Sequence, residues 1–394
     1  MAYILSKPFR FLTNKVAILI FIATLVIFID YYGILLHLFE VNYSEFSYPL
    51  HIDMETVLEE LKKGHKPTYH PINEYDYPYR IQNSKKCSQR SYFNYENVVI
   101  LFVIKSALPN ENKRNAIRKL WGSENRFPEL NIRRIFLLGI STDPLFQDKI
   151  DEEYEKHKDL VQADFIDSYY NNTIKTMIGF KWVIQNCPNA QFIMFADDDM
   201  YVSTKNLLKF ISDPFNKNRK PKSKRDLTYI LVNEEKGFVL VTEGNIIRTI
   251  WNRRIATRRH LFQIDPFEER LFAGYVFFSS PMRHKSSKWY ISLTDYPFSK
   301  YPPYVTAGAY VLSFKALEDL YYTSMYTKNF KFDDVYLGIV AKKCGISPLH
   351  NKHFYFWRKR YNKYSYREVI ASHGFDDPDE LTKIWEEQKN LGNA

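Results

Sequence analysis

The chain reads as an α/β protein built on a doubly wound sheet. Three observations carry that reading: a continuous apolar run at 98–104, a second at 192–196 that ends in three aspartates, and an alternation of strand and helix patterns between them. Uninterrupted apolar strands belong to parallel sheets covered on both faces, and alternating helices supply the crossovers such a sheet requires.

In order, the pattern after 98–104 predicts a helix over 112–121, an apolar strand over 134–138 and a charged, solvated helix over 148–158. A short strand at 160–164 leads to Asn172 as an N-cap. The helix it opens carries Ile174, Met177, Ile178 and Trp182 on one face and stops at Cys187-Pro188-Asn189. The strand ending in the aspartates follows, and Ser203 then caps a helix over 204–211. Later, Asp333 and Asp334 stand where they can cap a helix over 335–343 and complement its dipole.

Asp197, Asp198 and Asp199 place carboxylates at the mouth of a buried strand. An all-oxygen cluster suits Mg²⁺ or Mn²⁺ rather than zinc, and such an ion usually serves by clamping the phosphates of a nucleotide substrate. Strand alternation puts Asp197 and Asp199 on one face and Asp198 on the other, so at most two of the three can share an ion directly. Acidic triplets also occur in solvated loops. Here the triplet falls at the carboxyl end of a strand, where doubly wound sheets bind their ligands.

The N-terminus places the chain at a membrane. Residues 16–29 are uncharged and apolar but for Thr24, Asp30 interrupts, and 31–39 are again mostly apolar, enough to cross a thin bilayer. Lys7, Arg10 and Lys15 precede the run, while Asp30, Glu40 and Glu45 follow it. The positive-inside rule then gives a cytosolic tail at 1–15, a transmembrane signal anchor at 16–36 and a lumenal remainder. A cleaved signal peptide fits less well, because no small-x-small site follows the apolar core. Residues 37–97 lack sustained periodicity and read as a stem, leaving 98–394 as one catalytic domain. At 45% hydrophobic and 17% aromatic the chain is too rich for disorder. Cys87, Cys187 and Cys344 allow one internal disulfide, with the pair left open. Asn42 and Asn171 begin glycosylation sequons.

Several blocks, in order, resemble the β-1,3-glycosyltransferases of glycosyltransferase family 31. They are Arg114-Asn115-Ala116-Ile117-Arg118-Lys119-Leu120-Trp121-Gly122, Phe136-Leu137-Leu138-Gly139, the run from Asp164 through Asp167 to Lys175, and the aspartate triplet. Lys288-Trp289-Tyr290, Tyr301-Pro302-Pro303-Tyr304, Ala307-Gly308-Ala309-Tyr310 and Asp333-Asp334-Val335-Tyr336-Leu337-Gly338 look like that family's acceptor-side and catalytic segments. Segments 30–38, 280–285 and 369–373 resemble its Brainiac-type branch. The resemblance implies a GT-A, Rossmann-like fold, Golgi type II topology, a UDP-sugar donor, Mn²⁺ and inversion at the anomeric carbon. It further implies transfer of N-acetylglucosamine to a mannose-ended glycosphingolipid, with UDP-galactose or UDP-N-acetylgalactosamine as the next donors.

On that resemblance Asp199 and His373 are the expected metal ligands, with Asp197 or Asp198 nearer the ribose and sugar. Asp334 is the expected base, favoured over Asp333. Arg114, Arg118 and Lys175 either meet the nucleotide or orient its pocket, Asp164 and Asp167 are uridine-side acids, and Trp289, Tyr301 and Tyr304 offer stacking faces to an acceptor sugar. Gly308 and Asp333 belong to the substrate-side blocks.

One stretch departs from the family pattern. Residues 217–270 hold thirteen Lys or Arg against seven Asp or Glu, a surplus of six within a whole-chain formal charge of +10. A nucleic-acid surface would explain the basic clusters at 217–225 and 253–259, but a lumenal protein meets no nucleic acid. The expectation is a surface insertion outside the catalytic core, or a segment absent from the mature message. A catalytically silent membrane lectin on the same fold is the non-enzyme alternative, and the intact Asp199 and Asp334 weigh against it.

Overall fold

A computed structural model describes residues 6–47, 52–88, 97–143, 145–215, 229–233, 237–242, 245–250 and 262–394, with side chains from residue 15 onward and outside 229–250. The chain divides into two units, 1–51 with 277–303, and 52–276 with 304–394.

The first unit opens with helix α1, Ser6–Tyr31, whose side chains from Ile18 to Ile22 are exposed on every side of the helix. Among the described residues, no helix is long and apolar enough to cross a membrane. The helix stops at Gly33, whose φ of 66° is left-handed, and a six-residue 3₁₀ turn, Ile34–Phe39, follows. Val41 then pairs with Phe298, and the buried guanidinium of Arg283 donates to Glu40 Oε1 at 2.8 Å.

The second unit begins with helix α2, Met54–Lys62, capped by Asp53 and burying Met54, Val57 and Leu58. Strand β1 is Tyr79–Ile81 and β2 is Val98–Lys105. Helix α3, Glu111–Lys119, leads to β3, Ile132–Ile140, and α4, Leu145–His157, to β4, Leu160–Ile166. Helix α5, Asn172–Asn186, buries Met177, Ile178 and Trp182 and leads to β5, Ala190–Asp197. Strand β6 is Tyr201–Val202, and α6 is Thr204–Ser212, its first turn closed by the Ser203 hydroxyl accepting from Asn206 N–H.

Strands β7 (Tyr229–Asn233), β8 (Gly237–Thr242) and β9 (Asn245–Ile250) form an antiparallel sheet of their own. After β10, Phe272–Phe277, come β11 (Tyr304–Ser313), α7 (Phe314–Ser324) and α8 (Asp333–Lys343). Short strands β12 (Leu349–His350), β13 (Phe354–Tyr355) and β14 (Ala371–Ser372) precede α9, Pro378–Asn390.

The main sheet has eight strands in the order β1-β4-β3-β2-β5-β11-β10-β12. Strands β4, β3, β2 and β5 are mutually parallel, as the apolar runs predict, and β11 joins β5 antiparallel. The chain winds outward from β2 to β4 and then returns to β5 on the other side of β2. That reversal opens a crevice at the carboxyl ends of β2 and β5. Strand β2 is buried throughout, and Phe102, Ile104, Trp121, Phe192 and Met194 belong to the core around it.

Two expectations change. The stretch 37–97 is no free stem: residues 37–47 fold into the first unit, α2 and β1 into the second, and Cys87 is bonded to Cys187 at the end of α5. The signal was the i, i+3, i+4 spacing of Met54, Val57 and Leu58, too short to register as sustained periodicity. The basic insertion ends earlier than 270, because Phe262 and Ile264 are buried, Phe262 packs 4.7 Å from the ring of Phe192, and Arg270 pairs with Asp319 at 2.6 Å. The clusters at 217–225 and 253–259 lie outside the described residues.

The disulfide closes a loop of sequence separation 100, and Cys344 is buried and free. Removing the bridge with Cys187→Ser should lower unfolding free energy by about 2–5 kcal/mol, read as the shift in denaturant midpoint. An unchanged midpoint would mean that the bridge does not constrain the unfolded chain.

Candidate active site

The crevice is built around a buried lysine. Parallel register sets Lys105, the last residue of β2, beside Asp197, the last of β5. The ammonium lies 3.2 Å from Asp197 Oδ1 and donates to Asp333 Oδ2 at 2.8 Å. Asp333 also accepts from the Thr176 hydroxyl at 3.0 Å. Burial pulls the Lys105 pKa down, but its two carboxylates outweigh that and hold it well above its ordinary value. Asp333 is buried too, yet Lys105 holds it below the usual carboxylate range. Asp197 has the longer contact, and burial lifts its pKa to about 6. One ammonium shared between two carboxylates leaves Asp197 under-neutralised.

A second cation fits there. Ligand atoms of Asp197, Asp199 and His373 lie within 4.8 Å of one another. Asp199 Oδ1 is buried and accepts no hydrogen bond from any described residue, while Oδ2 stands 3.2 Å from His373 Nε2. An orphaned carboxylate oxygen beside a second carboxylate and an imidazole suits an octahedral ion such as Mn²⁺.

His373 is delivered by a small sheet. Strand β14 pairs antiparallel with β6, Ser372 opposite Tyr201, and β13 lies along β14. The next residues continue the contact, with Phe375 N–H donating to Asp199 O at 2.8 Å. Gly308 on β11 leaves room for them: a Cβ there would sit 3.3 Å from both His373 Cδ2 and Met200 Sδ.

Asp198 points the other way, as alternation requires. Its Oδ2 accepts from Ser106 Oγ at 2.7 Å and Asn110 Nδ2 at 2.9 Å, and Lys113 lies 3.7 Å from Oδ1. It is thereby tied to the loop after β2.

Arg114 and Arg118 are paired inside the protein. Every N–H of the Arg114 guanidinium is used inside the protein, on Glu153, Ser106 Oγ and the carbonyls of Ala107 and Leu108. Arg118 pairs with Asp159 and Glu153. Lys175 donates to Ser106 O at 2.7 Å and to Asp167, whose carboxylate also accepts Gly139 N–H. Arg114 and Lys175 thus brace the loop from Ser106 to Leu108 directly, and Arg118 does so through Glu153. That loop borders a cleft of about 310 Å³ at the carboxyl ends of β2 and β3, lined by Leu108, Ile140, Ser141, Thr142 and Asp143 among others. Asp164 is exposed near the end of β4.

The proposed cap pair divides differently from expectation. Phe332 is the N-cap residue of α8 and makes no side-chain cap bond, so Asp333 serves Lys105 rather than the helix end. Asp334 is partly exposed, its Oδ1 accepting from Val335 N–H at 2.8 Å. Burial, with the Asp333 charge beside it, raises its pKa to about 7, well above the ordinary aspartate value. Of the aromatic residues, Tyr301 and Tyr304 are buried packing groups and present no open face. Trp289 is exposed, with Lys288 Nζ 4.6 Å over its ring.

Lys105, Ser106, Lys113 and Thr176 escaped sequence reasoning. A lysine ending the apolar run 98–104 was the available signal, because a charge there must meet a partner across the switch point.

A cation site and a neighbouring carboxylate of raised pKa are the equipment for moving a group from a nucleotide to a hydroxyl. The chain matches the galactosyltransferase family model over residues 112–245 and 256–352 and belongs to that family, the β-1,3-glycosyltransferases of glycosyltransferase family 31. It is 38% identical to the Drosophila melanogaster beta-1,3-galactosyltransferase brn, covering 94% of this chain and 95% of that one, which is the Brainiac type. Human beta-1,3-galactosyltransferase 1 is 30% identical over 81% of each chain, and mouse beta-1,3-galactosyltransferase 2 is 32% identical over 84% of this chain and 66% of its own. The protein is a UDP-sugar-dependent β-1,3-glycosyltransferase.

A base must be ionised to act. With Asp334 raised to about 7, kcat/KM should fall as pH drops through 7 and level off above it. Asp334→Asn should lower kcat by about 10²- to 10⁴-fold with donor affinity unchanged. A flat profile through pH 7 together with near-normal turnover in the variant would remove Asp334 from the mechanism.

Asp333→Asn acts differently. It breaks a buried pair, so stability should fall by about 3–5 kcal/mol in denaturant titration. It also removes a charge that raises Asp334, so the acid limb of the pH profile should move to lower pH. An unchanged limb would show that the two carboxylates do not interact.

Proposed function

We propose that the protein transfers N-acetylglucosamine from UDP-N-acetylglucosamine to a mannose-ended glycosphingolipid, inverting the anomeric carbon, with Mn²⁺ held by Asp197, Asp199 and His373. The carrying observation is the pairing of a cation-suited ligand set with Asp334 through the Lys105–Asp333 bridge. When bound, the ion neutralises charge on the departing diphosphate. Asp334 takes the proton of the acceptor hydroxyl as its oxygen bonds to the anomeric carbon. The bond from that carbon to the diphosphate oxygen breaks, and UDP leaves with the electron pair. Lys105 and Asp333 keep Asp334 in place. The cleft at Leu108 and Ile140–Asp143 receives the nucleoside. Membership of the family supports a GT-A reading of the sheet.

In this reading α1 anchors the enzyme in the Golgi membrane with the catalytic unit in the lumen. Support comes from apolar side chains exposed all round the helix, which an amphipathic surface helix would not show. The second donor reading is UDP-galactose, favoured by the names of the relatives.

The test is a donor screen with the full chain in detergent: UDP-N-acetylglucosamine, UDP-galactose and UDP-N-acetylgalactosamine against a soluble β-mannoside. Transfer should be greatest with the first, stop in excess chelator and return with Mn²⁺. Mn²⁺ should also raise the melting temperature of the wild type and not of His373→Ala, independently of turnover. Full transfer in chelator would refute the metal, and preference for another donor would refute the sugar.

A further inference from the structure

The reaction leaves two segments without a role, residues 30–38 and 280–285, and within the first unit they meet. Lys285 Nζ donates to Asp30 Oδ2 at 2.7 Å, and its backbone N–H donates to Tyr31 O at 3.0 Å. The His284 ring packs edge-on to Tyr32 at 4.8 Å. Gly33 lies so close beneath Arg283 that a Cβ would fall 2.4 Å from Arg283 O. Arg283 itself reaches from Glu40 to the carbonyls of Ile291, Ser292, Tyr296 and Phe298. Thus the end of α1 is fastened directly to the turn that carries Trp289, with no linker between them.

That fastened turn is apolar on its outside. The 3₁₀ segment Ile34–Phe39 has no buried residue, and Leu38 and Phe39 are 77% and 72% exposed. Ile34, Leu35, Met282 and Trp289 are exposed as well. Left in water, such a group of large apolar side chains is unfavourable and marks a contact surface.

We propose that this segment is a collar seated in the headgroup layer of a phospholipid bilayer. It holds the 282–300 segment at the membrane surface, so that acceptors are saccharides carried on lipid and lying close to that surface. The inference rests on the reading of α1 as a membrane anchor and of the acceptor as a glycolipid, and it adds how the one selects the other.

Depth follows from contact. Residues 16–29 span about 21 Å as a helix, short of a hydrocarbon core of about 30 Å, so the end of α1 and whatever binds it lie at or within the interface. Lys285, in contact with Asp30, shares that depth. Tyr31, Tyr32 and Trp289, the last with the Lys288 ammonium over its ring, are the amphipathic residues that an interface favours. Leu38 and Phe39 continue the apolar contact where α1 stops.

The test uses the full chain in phosphatidylcholine vesicles. A spin label at Ser286→Cys is selective, because Cys87 and Cys187 are bridged and Cys344 is buried. In the vesicles it should be relaxed more by oxygen and less by a water-soluble nickel chelate than the same label on the Leu38→Ser, Phe39→Ser variant. Equal access of the chelate in the two proteins would overturn the collar.

Leu38→Ser with Phe39→Ser should cut transfer to a mannose-ended glycosphingolipid in the vesicles several-fold and leave transfer to a soluble β-mannoside unchanged. Asp30→Lys and Lys285→Asp should each do the same, and their combination should restore the rate. Parallel loss on both acceptors, or loss on neither, would refute selection by the collar. If the wild type used neither acceptor, the acceptor reading would fail, while the label depth would still decide the collar.

Discussion

Lys105 keeps its charge out of water only because Asp197 and Asp333 flank it, and much of the catalytic unit follows from that need. A buried ammonium without partners costs several kcal/mol, so β2, β5 and the first turn of α8 must all be in register before any of them is stable in place. The same contact fixes the side chain next in sequence, Asp334, whose pKa is raised first by burial and then by the Asp333 charge gathered to hold the lysine. Asp197 inherits what the lysine cannot neutralise. A structural ion pair and a candidate cation site thus share one carboxylate.

A second layer of buried charge supports the first. Glu153 orients Arg114, Arg114 donates to the Ser106 hydroxyl, and that hydroxyl donates to Asp198. Asp198 therefore holds the loop after β2 while its neighbours Asp197 and Asp199 face the cation site. Alternation along one strand lets three consecutive aspartates do two different jobs. Across the sheet, Tyr310 stacks on Phe195 at 5.3 Å, packing β11 behind the same strand.

The strands and the facing of the aspartates were legible because both depend on a period of two, which the sequence displays directly. The parallel core from β4 to β5 matched its apolar runs closely. The antiparallel addition of β11 was not legible, since nothing local distinguishes its direction. Arg114 and Arg118 were left between two roles because a guanidinium on a helix looks the same whether it faces phosphate or Glu153, and that partner lies far along the chain. Tyr301 and Tyr304, expected as stacking faces, are buried, since an aromatic residue suits a sugar face or a core equally well. His373 and Asp334 were named through family likeness, and no periodicity would have found them. Folding supplies their context, through β14 for the one and Lys105 for the other.

The small sheet of β13, β14 and β6 carries a consequence for how the molecule is made. Synthesis delivers Asp197 and Asp199 long before His373, and the strand that seats His373 cannot pair until the chain has emerged past it. Until then the two aspartates face an open crevice without their imidazole partner. The candidate ion site is therefore completed late, after the strands of the central sheet and together with the C-terminal segment that ends in α9.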